Sequence, residues 1–383
     1  MLLKKLSLIN FKNHQQVDLE VDGLFNAFVG NNGEGKTNLL DAIHYLSLCK
    51  SYFNPVDSQN IRMGEETTLI QGSFEIEDRE EVISIGLKKQ QKKIVRRNAK
   101  EYDRLADHIG LIPVVMIAPT DTHLITEGSE ERRRFIDSII AQFNKGYLED
   151  LLSYNKLLSH RNALLKQAYS GGVDLITLEI IDDQLVPLGN KIFNVRELFI
   201  QQLAPVFRYY YTLISGGKES TEIIYETKLR ETDFAALLKG AIDRDRSAQY
   251  TTVGIHKDEL EFMIDGKSVK RYASQGQQKS FLVALKLAQF DFMRDFMKVK
   301  PLLLLDDIFD KLDDLRVGRL MKLVSDGHFG QLFVTDTHPA RISEVFRSIG
   351  KDICCFNVSS GNVVNAGLQS DLDYPTNSTN HHA

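Results

Sequence analysis

The residues whose types and spacing most clearly imply chemistry are Gly30, Asn31, Asn32, Gly33, Glu34, Gly35, Lys36, Thr37 and Asn38, in the stretch VGNNGEGKTN. They fit the pattern G-x-x-x-x-G-K-[ST] at every position. In that pattern, glycines let the backbone approach a phosphate and loop N–H groups cradle it. Backbone N–H groups from Asn31 to Thr37 are expected around the α- and β-phosphates of a nucleotide, with Lys36 at the β and γ oxygens and the Thr37 hydroxyl on Mg²⁺. The blander alternative is a glycine-rich turn that binds nothing. Context favours the first: LFNAFVG (Leu24 to Gly30) reads as a buried strand, and TNLLDAIHYLSL (Thr37 to Leu48) has apolar residues at helical spacing.

Two further stretches complete the expectation. LLLLDD (Leu302 to Asp307) is four buried-strand residues ending in carboxylates at the strand's C-terminal edge, where ligands of α/β sheets gather. Asp306 would hold Mg²⁺, directly or through water, and Asp307 would turn a carboxylate toward the attacking water. Two solvated aspartates closing a strand are the alternative. In ASQGQQKSF (Ala273 to Phe281), Ser274 and Gly276 open a helix whose first turn offers N–H groups and a positive dipole end, a second anion site or a simple N-cap.

The elements that must position these residues follow from periodicity. Up to about Ala118 the text is strand-rich: KKLSLINF, TLIQGSFEI, VISIGLK and KIVRRN read as antiparallel hairpins, and PVVMIAP (Pro113 to Pro119) as a buried strand. From Ser129, a candidate N-cap, to about Ala168 apolar residues recur at helical spacing, and Gly171 and Gly172 end that run. A second helical stretch from about Leu175 to Ile214 contains Pro187 and Pro205, where kinks or breaks are expected. Two helical segments joined by a glycine turn suggest an antiparallel arm, either a projection that contacts a partner or an ordinary helical subdomain. STEIIYETKL resumes the strand pattern, a hairpin leads from GIHKDELEF into an amphipathic helix after Ser274, and a helix near Leu315 to Ser325 precedes the strand QLFVTD. The polar tail 369–383, with His381 and His382, reads as disordered.

The chain of 383 residues has room for two or three lobes. Its net charge of −5 argues against a globally basic nucleic-acid binder, so any DNA contact must be focal. Three cysteines, two adjacent at Cys354 and Cys355, form neither a disulfide framework nor a zinc spacing and suit a reducing cytosol. No secretory leader and no membrane span is expected.

With LSLINFKNH, GNNGEGKTNLLDAIHYLS, EERRRFID (Glu130 to Asp137), GIHKDELEF (Gly254 to Phe262), ASQGQQK and LLLLDDIFDKLD in this order, the chain resembles the ABC-type ATPases. More finely it resembles the RecF family of bacterial recombination mediators, related to the SMC proteins. The likeness spans Met1 to about Thr335. It departs where the family usually has proline and arginine and this chain has Ile255 and Lys257, and where serine-glutamate is common and this chain has Asp310 and Lys311. His338, in VTDTHP, sits two residues beyond the place of a switch histidine and is not assigned to catalysis.

The resemblance implies an α/β fold: an ABC-type ATPase head with mixed sheet and antiparallel β hairpins, plus a helical arm subdomain. Residues 1–118 and 296–368 would form the ATPase lobe, and 119–295 the arm and signature-bearing lobe. It further implies ATP and Mg²⁺ as cofactors, Lys36 and Asp307 as catalytic residues, and a head-to-head homodimer. There Ser274, Gln275, Gly276 and Gln277 of one copy would meet the ATP of the other. Slow, DNA-stimulated hydrolysis would release DNA held at gaps or single-strand/double-strand junctions. RecR and RecO would be partners in placing RecA, in cytoplasmic DNA repair, replication and the SOS response. Basic candidates for DNA lie in KKQQKKIVRRNAK and EERRRFID: Lys92, Lys93, Arg96, Arg97, Arg132 and Arg133, with Lys267, Lys270 and Arg271 behind them. Such runs attract backbone phosphate without reading sequence, or are solvated faces. The long separation of phosphate loop and signature disfavours a transporter subunit, and the short arm disfavours a long-coiled-coil ATPase. A nucleotide-gated clamp with negligible hydrolysis stays open.

Overall fold

The structure, a computed structural model, describes residues 1–171, 175–309, 314–325 and 327–368. It forms two compact units: Met1–Asp103, Val114–Ala118 and the chain from Pro301 make the first, and Arg104–Pro113 with Pro119–Lys300 the second. Residues 104–113, expected with the first lobe, thus belong to the second, where Arg104 pairs with Glu149 at 2.8 Å.

In the first unit β1 (Leu2–Phe11) and β2 (His14–Glu20) form a hairpin, β3 (Phe25–Val29) enters the glycine loop, and α1 (Lys36–Leu48) leaves it. β4 (Thr67–Ile76), β5 (Arg79–Lys88), β6 (Ile94–Arg97) and β7 (Lys100–Glu101) complete an antiparallel sheet in the order β2-β1-β4-β5-β6-β7. β8 (Val114–Ile117) belongs to a second sheet.

The second unit holds α2 (His123–Thr126), α3 (Ser129–Phe143), α4 (Lys145–Gly171), α5 (Leu175–Ser215), β9 (Thr221–Glu226), α6 (Phe234–Ala248), β10 (Glu259–Ile264), β11 (Lys267–Ser268), α7 (Val269–Tyr272) and α8 (Gln275–Met297). The chain then returns to the first unit with β12 (Leu302–Leu305), α9 (Asp314–Ser325), β13 (Leu332–Asp336), α10 (Pro339–Ser348), β14 (Cys354–Ser359) and β15 (Asn362–Leu368).

The second sheet of the first unit runs β15-β14-β3-β13-β12-β8, parallel except for the β14–β15 hairpin. All four residues of β12 (LLLL) and of β8 (VVMI) are buried, the pattern of parallel strands covered on both faces. α1 packs against β4 and β5 of one sheet and β8 and β13 of the other. Burial of Leu39 to Ser47 all round follows from that sandwich.

Several expectations change. The helix read from Ser129 to Ala168 is two, because Asn144 adopts an extended conformation between α3 and α4, and Gly128 rather than Ser129 is the N-cap. α5 runs unbroken for 41 residues through Pro187 and Pro205. Each proline forfeits one backbone hydrogen bond, and burial of Leu185, Gly189, Leu203 and Phe207 around them outweighs the loss. α8, expected to be amphipathic, is buried from Ser280 to Phe290 on every face. The glycine turn at Gly172, the departures at Asp310 and Lys311 and the tail 369–383 lie outside the described residues. No described helix is long and apolar enough to cross a membrane.

Candidate functional site

The loop between β3 and α1 owes its shape to glycine. Gly30 has φ +152°, and a Cβ there would come within 2.2 Å of the Val358 carbonyl oxygen in β14. Gly35, φ +111°, is the N-cap of α1 and makes no side-chain cap. The helix end is therefore uncapped by any side chain, where the dipole favours an anion.

Lys36 is buried, and its Nζ donates to the carbonyls of Gly30 at 2.6 Å and Asn31 at 2.7 Å. Burial pushes the ammonium pKa down, against the opposing pull of Asp307, Asp306, Asp336 and Glu34. The lysine lies folded onto its own loop, next to where phosphates would enter.

Asp306 joins the loop to the strand ends. Its Oδ1 accepts from the hydroxyls of Thr37 and Thr335, each at 2.8 Å, while its backbone N–H donates to Ile117 O at 2.8 Å. Burial raises its pKa, and the two threonine bonds work the other way. Asp307 follows at φ +50°, a left-handed conformation rare for a side-chain-bearing residue, and its N–H donates to Thr335 Oγ1 at 2.9 Å. That turn ends β12 and sets consecutive carboxylates in different surroundings. A buried carboxylate oxygen beside a threonine hydroxyl is a hard-oxygen donor set, which fits Mg²⁺ bound by few protein ligands plus phosphate and water.

Sequence reading missed three supports. Asp336, at the end of β13, is buried and holds Arg341 in a two-pronged pair at 2.8 and 3.0 Å, while its backbone oxygen accepts from Gly30 N–H at 3.3 Å. Asn13 and His14 brace the loop from the β1–β2 turn. The stretch containing them, LSLINFKNH, signalled kinship without a role. The exposed His338 ring meets the Thr337 hydroxyl at 2.8 Å and lies 3.8 Å from Asp336 Oδ1, while its backbone N–H donates to the same oxygen at 2.7 Å.

In the second unit Ser274 is the N-cap of α8 in a capping box. Its hydroxyl accepts from Gln277 N–H at 3.2 Å, and Gln277 Oε1 accepts from Ser274 N–H at 2.7 Å. Gln277 is further held by Glu219 at 2.8 Å. Ser274 and Gln275 are exposed, so the helix start presents an ordered face.

The basic candidates fare differently. Arg132 is buried, pairs with Glu259 at 2.9 Å and donates to the Leu124 and Glu127 carbonyls, so its guanidinium donors are turned inward. Arg133 donates to Asp258 O at 2.5 Å. EERRRFID and GIHKDELEF thus meet as a packed network, extended by fully buried Arg196, which pairs with Asp137 at 2.9 Å and donates to Ile255 O at 2.8 Å. Lys93 is held by Asp57 at 2.9 Å, and Arg97 forks onto Glu81 at 2.6 and 2.8 Å. Four of the six therefore have partners within the fold. Lys92 is exposed without an ion pair among the described residues, and exposed Arg96 lies 3.8 Å from Glu101.

A strand, glycine loop and helix facing a strand-end carboxylate pair, with a capped signature helix, define a P-loop ATPase head of the ABC and SMC type. The SMC head domain from Pyrococcus furiosus shares the fold, with TM-score 0.58 and 19% identity over 95% of this chain and 96% of that one. The chain matches the RecF/RecN/SMC N-terminal domain family over residues 2–351. It is 48% identical to the DNA replication and repair protein RecF of Flavobacterium johnsoniae, over 94% of this chain and all of that one. Identity to the RecF of Bacteroides thetaiotaomicron is 44%, over 96% and 100%. The solved structure of the recombination mediator RecF-ATP of the RecFOR pathway superposes with TM-score 0.87 at 30% identity, covering 95% of this chain and 97% of that one. This chain belongs to the RecF family.

Proposed function

We propose that this chain is an ATP-dependent DNA-binding protein of recombinational repair and replication, working in the cytoplasm as an ATP-closed homodimer. The observation that carries the nucleotide part is the 2.8 Å contact between Thr37 and Asp306, which puts the phosphate-loop hydroxyl and the strand-end carboxylate on one spot. Lys36 would exchange its loop carbonyls for β and γ oxygens. Thr37 and Asp306 would hold Mg²⁺, which when bound neutralises phosphate charge. Asp307 would orient and deprotonate the attacking water.

Ser274 and the Gly276 N–H of one copy would meet the γ-phosphate held by the other, giving ATP the differential affinity for the closed dimer that a ligand-driven switch needs. Hydrolysis, slow and stimulated by DNA, would reopen it. The RecF names and the RecFOR setting of the relatives support DNA at gaps or junctions as substrate, with RecR and RecO as partners and RecA loading as the outcome. Light scattering with and without ATP and gapped DNA tests this. ATP should double the mass and DNA should bind the doubled species; a monomer under all conditions would refute the reading.

A further inference from the structure

The turn joining β1 and β2 lies against the phosphate loop, and its histidine has an unusual arrangement. His14 is fully buried, with Nδ1 at 2.7 Å from the Gly361 carbonyl oxygen and Nε2 at 3.1 Å from the Gly35 carbonyl oxygen. Both neighbours are acceptors. A neutral imidazole carries one N–H and can satisfy only one of them, whereas the imidazolium satisfies both. One of the oxygens belongs to the N-cap of α1, the residue that sets the direction of the helix start.

The surrounding contacts make this a latch between two turns and the loop. Asn13 Nδ2 donates to Glu34 O at 2.9 Å, Asn38 Nδ2 to Asn13 Oδ1 at 2.7 Å, and Gly361 N–H to Glu34 O at 3.2 Å. The Glu34 carboxylate accepts from Ser360 N–H. We propose that His14 is a positioning residue that latches the phosphate loop and takes up a proton when a nucleoside triphosphate binds, an inference that rests on the nucleotide-binding reading above.

The charges around His14 decide when it protonates. On its own turn is Lys12, whose ammonium pairs with Asp41 of α1 at 2.5 Å. The loop contributes Glu34, α1 contributes Lys36, and the turn residues Ser360 and Gly361 carry no charge. Burial lowers the imidazole pKa, the contacts to the Gly361 and Gly35 carbonyls work the other way, Lys12 adds a smaller push down, and a helix N-terminus opposes a cation further. With the loop empty, the lowered pKa favours the neutral ring, which leaves one contact without its hydrogen. Triphosphate at the α1 N-terminus reverses the local field, and the imidazolium completes the second bond. By linkage, ATP binding then draws in a proton and is itself favoured by acid.

Calorimetry of ATP binding to the full chain, at fixed pH in buffers of different ionisation enthalpy, counts that proton. His14→Gln removes the titrating group. Gly361→Ala keeps His14 and dislodges the second turn, since φ is +78° there and a Cβ would lie 2.7 Å from Asn13 O. Wild type should take up more protons than either variant, by up to one, the nucleotide's own proton cancelling in the difference. Its affinity should also fall several-fold more than that of His14→Gln from pH 6 to pH 8. Thermal unfolding without nucleotide separates loss of fold from loss of coupling. Equal proton uptake by wild type and His14→Gln overturns the proposal while leaving the nucleotide reading intact. Failure of the wild type to bind ATP overturns both.

Discussion

The Thr37 hydroxyl donates to Asp306 Oδ1 at 2.8 Å across 269 residues of sequence. That carboxylate is buried and its pKa is raised by burial, so its charge is kept at a cost to the fold. The sign follows: a carboxyl with a raised folded pKa stabilises fully below the ordinary carboxylate pKa, and that stability is lost as pH rises through the folded value. Asp306→Asn should therefore melt at or above wild type near pH 7 without nucleotide, while Mg²⁺ dependence of ATP binding is lost. Calorimetric melting and nucleotide titration with and without Mg²⁺ check both. A variant that melts lower and still needs Mg²⁺ would contradict this.

Asp307→Asn should bind ATP and dimerise but turn over about 100-fold or more slowly, because an amide cannot take a proton from water. Asparagine also tolerates the left-handed conformation at φ +50°, so the turn survives. Single-turnover rates decide; wild-type turnover would move the base elsewhere.

Arg132→Ala should damage the fold rather than DNA binding. Removing a buried cation that pairs with Glu259 and satisfies two carbonyls costs about 3 kcal/mol, moderated by the partial exposure of Glu259. Denaturant midpoints should fall while the folded fraction keeps its DNA affinity. Neutralising Lys92 and Arg96 should do the reverse: unchanged stability, weaker binding to all sequences, and a salt slope shallower by about 0.9 per lost contact on duplex DNA. An unchanged slope would return them to the solvated surface.

His256 supplies an acid-sensitive joint in the second unit. Nδ1 accepts from the Tyr154 hydroxyl at 2.9 Å and Nε2–H donates to Thr251 O at 3.0 Å, the neutral tautomer, and burial pushes its pKa down to about 4 from 6.5. With the folded pKa depressed, the unfolded chain binds the proton more readily, so stability present above pH 6.5 drains away toward pH 4, by about 3 kcal/mol. His256→Gln should flatten that slope in chemical unfolding between the two pH values. A slope identical to wild type would place the acid sensitivity elsewhere.

Much of the nucleotide side was legible because its chemistry is local. Glycines at Gly30 and Gly35, the lysine and threonine after them, and a run of leucines ending in Asp306 each need only short-range backbone geometry to be read. What was hidden depends on contacts between distant segments. Arg132 and Arg133 look like a phosphate-binding run until the start of β10 and the residue before it bring Glu259 and the Asp258 carbonyl beside them. The break at Asn144 and the continuity of α5 through Pro187 and Pro205 are likewise decided by packing rather than propensity. His14 lies in a stretch that signals kinship but not its proposed role, since that role comes from two carbonyls 21 and 347 residues away.

The proposed dimer can be tested by mixing variants. Lys36→Ala removes a charged partner of the β- and γ-phosphates, worth about 10- to 100-fold in affinity, and leaves its own signature sound. Ser274→Arg leaves the phosphate loop sound but replaces an exposed N-cap hydroxyl with a bulky cation, costing about 1 kcal/mol of helix capping and blocking approach to the partner's γ-phosphate. On the proposed dimer, neither variant alone would close a working site. In a heterodimer one site pairs the sound loop of the Ser274→Arg copy with the sound signature of the Lys36→Ala copy, and the opposite site carries both lesions. ATPase activity should thus return partially on mixing, to no more than about half of wild type per dimer when one site suffices. Full activity of Ser274→Arg by itself would show that the signature does not act across the dimer. Heterodimers that form by cross-linking yet hydrolyse nothing would show that the two sites must fire together.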